Sequence, residues 1–253
     1  MKILESLNLR RREGKKSIAV LIDPDKVENT PQLEPLLRLA AEDCVDYIFV
    51  GGSLITTSNM ATIIKTIKEN VSMPVVLFPG STLQIEPTAD AILFLSLISG
   101  RNPDLLIGQQ VIAAPILRGT KLEVMPTGYM LINSGKTTSV AYVSNTTPIP
   151  EDKYSLAATT ALAGEMLGLK LIYIDAGSGA ERPISEKMIN AVRNAIDVPL
   201  IVGGGINTPQ KAIKALEAGA DLIVIGNALE KSPELLTEIS DEVYNWNQSI
   251  KAK

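Results

Sequence analysis

Eight short apolar runs recur along the chain, and most are separated by enough residues to hold a helix. The runs are Ser17–Ile22, Tyr47–Val50, Val75–Phe78, Ala91–Leu95, Gly128–Ile132, Leu171–Ile174, Leu200–Val202 and Leu222–Ile225, each bounded by Gly, Pro or an acid. Apolar residues at helical spacing fill Pro35–Asp43, Met60–Glu69, Leu105–Leu117, Ser155–Leu167, Ser185–Ala195 and Pro209–Ala218. Strands alternating with helices predict right-handed βαβ units on a parallel sheet. Eight such units in 253 residues predict an α/β fold, a (β/α)8 TIM barrel with one irregular or modified helix position, spanning 1–253 as a single domain. "MPVVLFPGS" with "ADAILFLS" echoes "VPLIVGGGI" with "ADLIVIGN", so the third and fourth units resemble the seventh and eighth. A doubly wound open sheet is the rival, but no G-x-G-x-x-G follows the first run.

At the C-terminal end Ser232 and Pro233 fit N-cap and first helical position. Leu235, Leu236, Ile239, Val243 and Trp246 then form one apolar stripe. The least regular stretches are Ile98–Asn102 and Gly135–Asp152; the second has the length of a lid, a binding loop or an oligomer contact.

Composition removes several function classes. There is no histidine, so triad hydrolysis, His-ligated zinc and imidazole proton shuttles are excluded. A net charge of −4 and only three Phe and one Trp argue against a nucleic-acid partner. Cys44 is the lone cysteine and reads as a buried inert thiol. No apolar run reaches membrane-span length and the opening stretch has no signal-peptide core, so the expected location is cytoplasmic.

In a barrel the chemistry sits where the strands end. Here those ends are rich in glycine and hydroxyls, and acids occur at only two: "IDPDK" (22–26) and "IDAGSGA" (174–180). Asp175 is a candidate base, with Gly177, Ser178 and Gly179 offering backbone and hydroxyl donors beside it. Gly203, Gly204 and Gly205, with Gly226-Asn227 opening a short helix, form a candidate phosphate cup; tight turns are the plainer explanation of the same glycines. Asp23 with Ser53 could hold Mg²⁺ loosely, since that ion takes one or two protein carboxylates and leaves its other positions to water and phosphate. A turn with side-chain-to-backbone hydrogen bonds is the alternative use of Asp23 and Asp25, and Lys26 could cap a helix or meet a phosphate.

On "LIDPDK" (21–26), "VGGS" (50–53), "AYVSNTTPIP" (141–150), "YIDAGSGA" (173–180), "PLIVGGGI" (199–206) and "ADLIVIGNAL" (220–229), the sequence resembles the geranylgeranylglyceryl phosphate synthases, prenyltransferases of ether-lipid synthesis. The last two stretches are common to many phosphate-binding barrels; "YVSNTTPIP" combined with "DPDK" and the sixth-strand stretch is much narrower. The resemblance implies transfer of geranylgeranyl from its diphosphate to the C3 hydroxyl of sn-glycerol 1-phosphate, with Mg²⁺ on Asp23 and Ser53. It implies a glycerol-phosphate site of Tyr173, Ile174, Asp175, Ala176, Gly177, Ser178, Gly179, Gly204, Gly205, Gly226 and Asn227, with Asp175 taking the hydroxyl proton. One branch has "YLEYSG" at the sixth strand; here Asp175 replaces the Glu, Ala176 replaces the Tyr and a glycine is added. The shorter bacterial relatives have Lys where this chain has Leu21. Both departures place the chain in the longer-sequence branch, which implies a homo-oligomer, dimer or hexamer, with Tyr142 as a contact. The alternatives are another barrel isomerase or lyase acting on a phosphorylated substrate, or a silent phosphometabolite-binding barrel.

Overall fold

The computed structural model describes residues 2–27, 33–42, 45–57 and 59–251. Cys44 and Asp43, the end of one expected helix, lie outside them. Eight parallel strands close on themselves in sequence order: β1 (Ser17–Ile22), β2 (Tyr47–Val50), β3 (Val75–Leu77), β4 (Ala91–Leu97), β5 (Glu123–Leu131), β6 (Leu171–Asp175), β7 (Leu200–Gly203) and β8 (Leu222–Ile225). The closing pair is β1 with β8, in the register Ser17↔Leu222 to Val20↔Ile225. The closed ring rules out the open-sheet alternative. All eight expected runs are strands; β5 begins five residues earlier than read, at Glu123, because Gly128 does not interrupt its pairing with β4.

The shell comprises α1 (Ile3–Arg12), α2 (Glu34–Glu42), α3 (Met60–Asn70), α4 (Gln109–Arg118), α5 (Ser139–Ser144), α6 (Tyr154–Met166), α7 (Glu186–Arg193), α8 (Pro209–Glu217), α9 (Asn227–Lys231) and α10 (Leu235–Lys251). Alternate strand residues divide the core in two. Ile172 and Ile174 of β6 join the layer between sheet and helices, whereas Leu171 and Tyr173 join the barrel interior. Burying both faces explains why the strands read as continuous apolar runs.

The irregular helix position lies between β3 and β4. That connection, "FPGSTLQIEPTAD", holds only a three-residue 3-10 turn, Thr82–Gln84, because Pro79, Gly80 and Pro87 deny it helical continuity. The echo between the two strand pairs is therefore confined to the strands: β7 and β8 are joined by a full helix, α8. Before α4, residues Asp104–Gly108 form a π-helical turn within the expected Leu105–Leu117 helix. The last helix starts at Leu235, not Pro233: Ser232 and Pro233 form a tightened turn in which their carbonyls accept from Leu235 and Leu236 N–H. Its stripe is buried as expected at Leu236, Ile239 and Val243, and the Trp246 indole donates to the Gly14 carbonyl.

Helix α1 is not among the helices expected from the sequence. It lies against the N-terminal mouth of the barrel with Leu7 in the interior cluster. Its N-cap, Lys2, supplies no side-chain acceptor. Glu123, 120 residues away at the start of β5, does so instead, accepting Ile3 N–H at 2.7 Å and Leu4 N–H at 3.0 Å. Arg10 completes the attachment through Asp46 at 3.0 Å and the Ser17 hydroxyl at 2.7 Å. Replacing Glu123 by Ala should lower unfolding stability by about 1–2 kcal/mol, the loss expected for a removed helix cap. Urea denaturation would measure this, and an unchanged midpoint would show that Glu123 does not hold α1.

Candidate active site

The C-terminal strand ends surround a cavity of about 1160 Å³. Of the residues expected from sequence, Asp23, Ser53, Tyr173, Asp175, Gly177, Ser178, Gly179, Gly204, Gly205, Gly226 and Asn227 line it. Ile174 and Ala176 do not; both pack into the outer layer, where strand alternation directs them.

Asp175 ends β6 facing inward and is only 7% exposed. Its Oδ2 accepts from the Tyr129 hydroxyl at 2.6 Å and its Oδ1 from Gly177 N–H at 2.8 Å. Burial raises its pKa above the usual carboxylate value, and those two hydrogen bonds pull against the rise. Burial also pushes the hydroxyls of Tyr129 and Tyr173 well above the usual phenol range, so Tyr129 remains a donor. The space cleared beside the acid has a geometric reason. Gly204 has φ +82°, and a Cβ there would lie 2.7 Å from Asp175 Oδ1. Gly177, at φ +88°, would place a Cβ 2.8 Å from Thr138, which stands at the N-cap position of α5.

Tyr129 was not among the residues singled out from sequence. It pairs in register with Tyr173 across β5 and β6, two residues below Asp175, so its long side chain reaches up to the carboxylate. Phe78 stacks on Tyr173 with centroids 5.0 Å apart, and Tyr129 meets both rings edge-on at 5.7 and 5.4 Å. These rings form an apolar wall behind a polar acid. The signal was the inward alternation Thr127, Tyr129, Leu131, legible only once the β5–β6 register is known.

The two acids of "DPDK" separate cleanly. Asp25 is spent on structure: its carboxylate accepts from the backbone N–H and hydroxyl of both Thr56 and Thr57 at 2.8–3.0 Å. Desolvation opposes them, but these bonds hold its pKa below the usual value. Asp23 accepts Asp25 N–H at 3.2 Å and faces the cavity beside Gly52 and Ser53. Burial is the largest influence on its carboxyl and raises its pKa. Lys26 reaches across the mouth to Asn227 Oδ1 at 2.6 Å and Glu230 at 2.9 Å, and Asn227 donates in turn to the Ser178 hydroxyl at 3.1 Å.

The long stretch Gly135–Asp152 overhangs the site. It contains α5, whose Val140, Tyr142 and Val143 line the cavity, while Tyr142 is 82% exposed. A second, apolar groove of about 240 Å³ adjoins the cavity and shares Ser53, Pro79, Gly80, Leu95, Tyr129 and Val140 with it. It runs between the 3-10 turn and α4, in the space left by the missing helix, past Ile85, Phe94, Leu105 and Ala113.

The chain's similarities agree with this arrangement. The family model described as the PcrB family matches residues 10–243. A geranylgeranylglyceryl phosphate synthase of Spirosoma linguale is 56% identical over 237 residues, covering 94% of this chain and 95% of its own. That of Chitinophaga pinensis is 51% identical over 243 residues, covering 96% of each. Among solved structures, (S)-3-O-geranylgeranylglyceryl phosphate synthase from Thermoplasma acidophilum, in complex with its substrate sn-glycerol-1-phosphate, matches with a TM-score of 0.90. It is 36% identical, over 97% of this chain and 99% of that one.

The raised pKa of Asp175 makes a stability prediction. Its ionised form is disfavoured in the folded protein, so its contribution is greatest below the ordinary Asp value of about 3.9 and is lost as pH rises through the native pKa. Asp175→Asn should therefore melt at or above the wild-type temperature at pH 7, with the difference vanishing towards pH 4. A variant that melts lower at pH 7 would mean that the charge stabilises the fold.

Proposed function

This chain belongs to the PcrB family, and from that premise we propose that it is a prenyltransferase that moves geranylgeranyl from its diphosphate to the C3 hydroxyl of sn-glycerol 1-phosphate. The products are geranylgeranylglyceryl phosphate and diphosphate. The observation that carries the proposal is the junction of two unlike spaces: a polar cavity with a buried base and an apolar groove that shares its wall. A barrel isomerase or lyase acting on a small phosphorylated substrate has no use for that groove.

The acceptor phosphate would lie against Gly204, Gly205, Gly226 and Asn227, placing the glycerol chain beside Ser178 and Asp175. Asp175 takes the C3 hydroxyl proton as the oxygen bonds to C1 of the prenyl chain and the bond from C1 to the diphosphate breaks. A positioned base of this kind contributes about 10²–10⁴-fold. Tyr129 fixes the carboxylate's orientation through the 2.6 Å hydrogen bond.

Magnesium fits the first two strand ends by donor chemistry. Among the described residues no group of three acids or other metal ligands is present, and Asp25 is occupied by Thr56 and Thr57. That leaves Asp23 and the Ser53 hydroxyl, a sparse oxygen set suited to Mg²⁺ shared with substrate phosphate. When bound, Mg²⁺ would neutralise charge on the departing diphosphate.

The same reading includes a cytoplasmic homo-oligomer. The single cysteine supports the location, and among the described residues no helix is long and apolar enough to cross a membrane. Support for self-association comes from two shell helices, α4 and α6. The π-turn and α4 expose Ile107, Val111, Ile112 and Ile116, and α6 with its end exposes Leu156, Met166 and Leu167. Residues 105–117 carry no charge, and an exposed apolar face of this extent marks an interaction surface. Light scattering should give a multiple of the 27.1 kDa chain mass, reduced by Ile112→Glu with Met166→Glu. A monomeric wild type would remove this part of the reading.

The decisive assay supplies Mg²⁺, radiolabelled sn-glycerol 1-phosphate and prenyl diphosphates of several lengths, and follows label into the organic phase. Transfer should peak with the geranylgeranyl donor, stop with EDTA and fall about 10²–10⁴-fold in Asp175→Asn. Absence of transfer with every donor would reject the transferase reading.

A further inference from the structure

We propose that Lys26 reads the phosphate charge of the acceptor, and that Glu230 holds its place until the acceptor arrives. The inference deepens the proposed function and rests on it for the acceptor's identity.

The charge inventory of the cavity points to this residue. Among the described residues that line it, the charged side chains are Asp23, Lys26, Asp175 and Glu230. Lys26 is the lone cation beside three carboxylates. A phosphate carries about −1.5 to −2 charges at neutral pH, so it enters a site whose own side chains repel it unless that ammonium is turned towards it.

Position supports the role. Lys26 follows the end of β1, and β1 pairs with β8 at the barrel seam. This places it next to Gly226 and Asn227, two residues of the glycine cup. Its Nζ donates to Asn227 Oδ1 at 2.6 Å and to Glu230 Oε1 at 2.9 Å, while Asp23 Oδ2 stands 3.9 Å away. An ammonium has three donors; two are used here, and both acceptors lie at the edge of the cup. The nearer contacts assign Lys26 to the acceptor side of the cavity rather than to the Asp23 side.

The Glu230 pair is built to open. Lys26 and Glu230 side chains are 35% and 36% exposed, and ion pairs this wet contribute little to stability. A phosphate oxygen can replace Glu230 at small cost while Asn227 keeps the lysine aimed. Once displaced, Glu230 swings away into solvent. Without the lysine, Glu230 would remain as an uncompensated carboxylate facing the phosphate, so the loss exceeds one missing contact.

The test compares wild type, Lys26→Met, Lys26→Arg, Glu230→Gln and the double variant Lys26→Met/Glu230→Gln. In transfer kinetics with each substrate varied in turn, Lys26→Met should raise KM for sn-glycerol 1-phosphate roughly tenfold to a hundredfold, the range for a lost charged hydrogen bond. Its kcat and the donor KM should change little. Glu230→Gln should lower the acceptor KM, and adding it to Lys26→Met should recover part of the loss. An unchanged acceptor KM, or a loss confined to the donor KM or to kcat, overturns the proposal.

Calorimetric titration with inorganic phosphate separates this idea from the function it rests on. If no prenyl donor supports transfer, the function fails, yet phosphate binding by wild type and its weakening in Lys26→Met still support the lysine's role. Equal affinity in the two proteins, or no binding to wild type, overturns it. Should Lys26→Met fail to fold, Glu230→Gln must bind phosphate more tightly than wild type and Lys26→Arg must retain binding; failure of either overturns it.

Discussion

Closing eight parallel strands into a ring forces every second side chain into an interior that water does not fill. Residues stacked there in successive layers must suit one another across neighbouring strands. In this chain the lower layers hold Tyr47 and Phe49 among aliphatic side chains, and the upper layer holds Phe78, Tyr129 and Tyr173 with Asp175 above them. A carboxylate at that height is tolerable because it ends its strand. The chain turns at Gly177 immediately afterwards and returns a backbone N–H to it. One residue lower, the side chain would point into the outer layer; two lower, the acid would replace Tyr173 in the ring cluster.

The same closure sets the electrostatic character of the mouth. Parallel strands deliver all eight C-terminal ends to one rim, so groups distant in sequence meet there. Lys26 from the first strand end meets Asn227 and Glu230 from the last, and Ser178 joins them from the sixth. The opposite mouth is treated differently. It is sealed by α1, which is bound through Glu123, Asp46 and Ser17 at or beside strand starts. Ion pairs and caps at that face serve cohesion, while those at the upper face are looser and more exposed.

Much of this was legible in the sequence because buried parallel strands leave a blunt signature: short apolar runs ending in glycine or an acid. Strand positions, the single barrel and most cavity residues follow from that signature and from the motifs at the strand ends. Other features were hidden for identifiable reasons. Tyr129 lies inside a strand, and its hydrogen bond depends on the register between β5 and β6. The division of labour between Asp23 and Asp25 depends on where Thr56 and Thr57 return in space. Helix α1 ends in three consecutive Arg, and its cap comes from a residue 120 positions away. For Ile174 and Ala176, motif membership gave a place in the site, but the two-residue alternation of a strand and its exit turns both outward.

The shortened connection between β3 and β4 has a consequence for how such a molecule can change. In a closed parallel ring each strand is held by its two neighbours, so a helix of the shell can be lost without breaking the ladder beneath it. Here β3 still pairs with β2 and β4 although only a 3-10 turn covers that side. The apolar groove beside the cavity thus lies where a shell helix would otherwise stand, with the strand ends left in place. The barrel behaves as a fixed frame with eight replaceable panels.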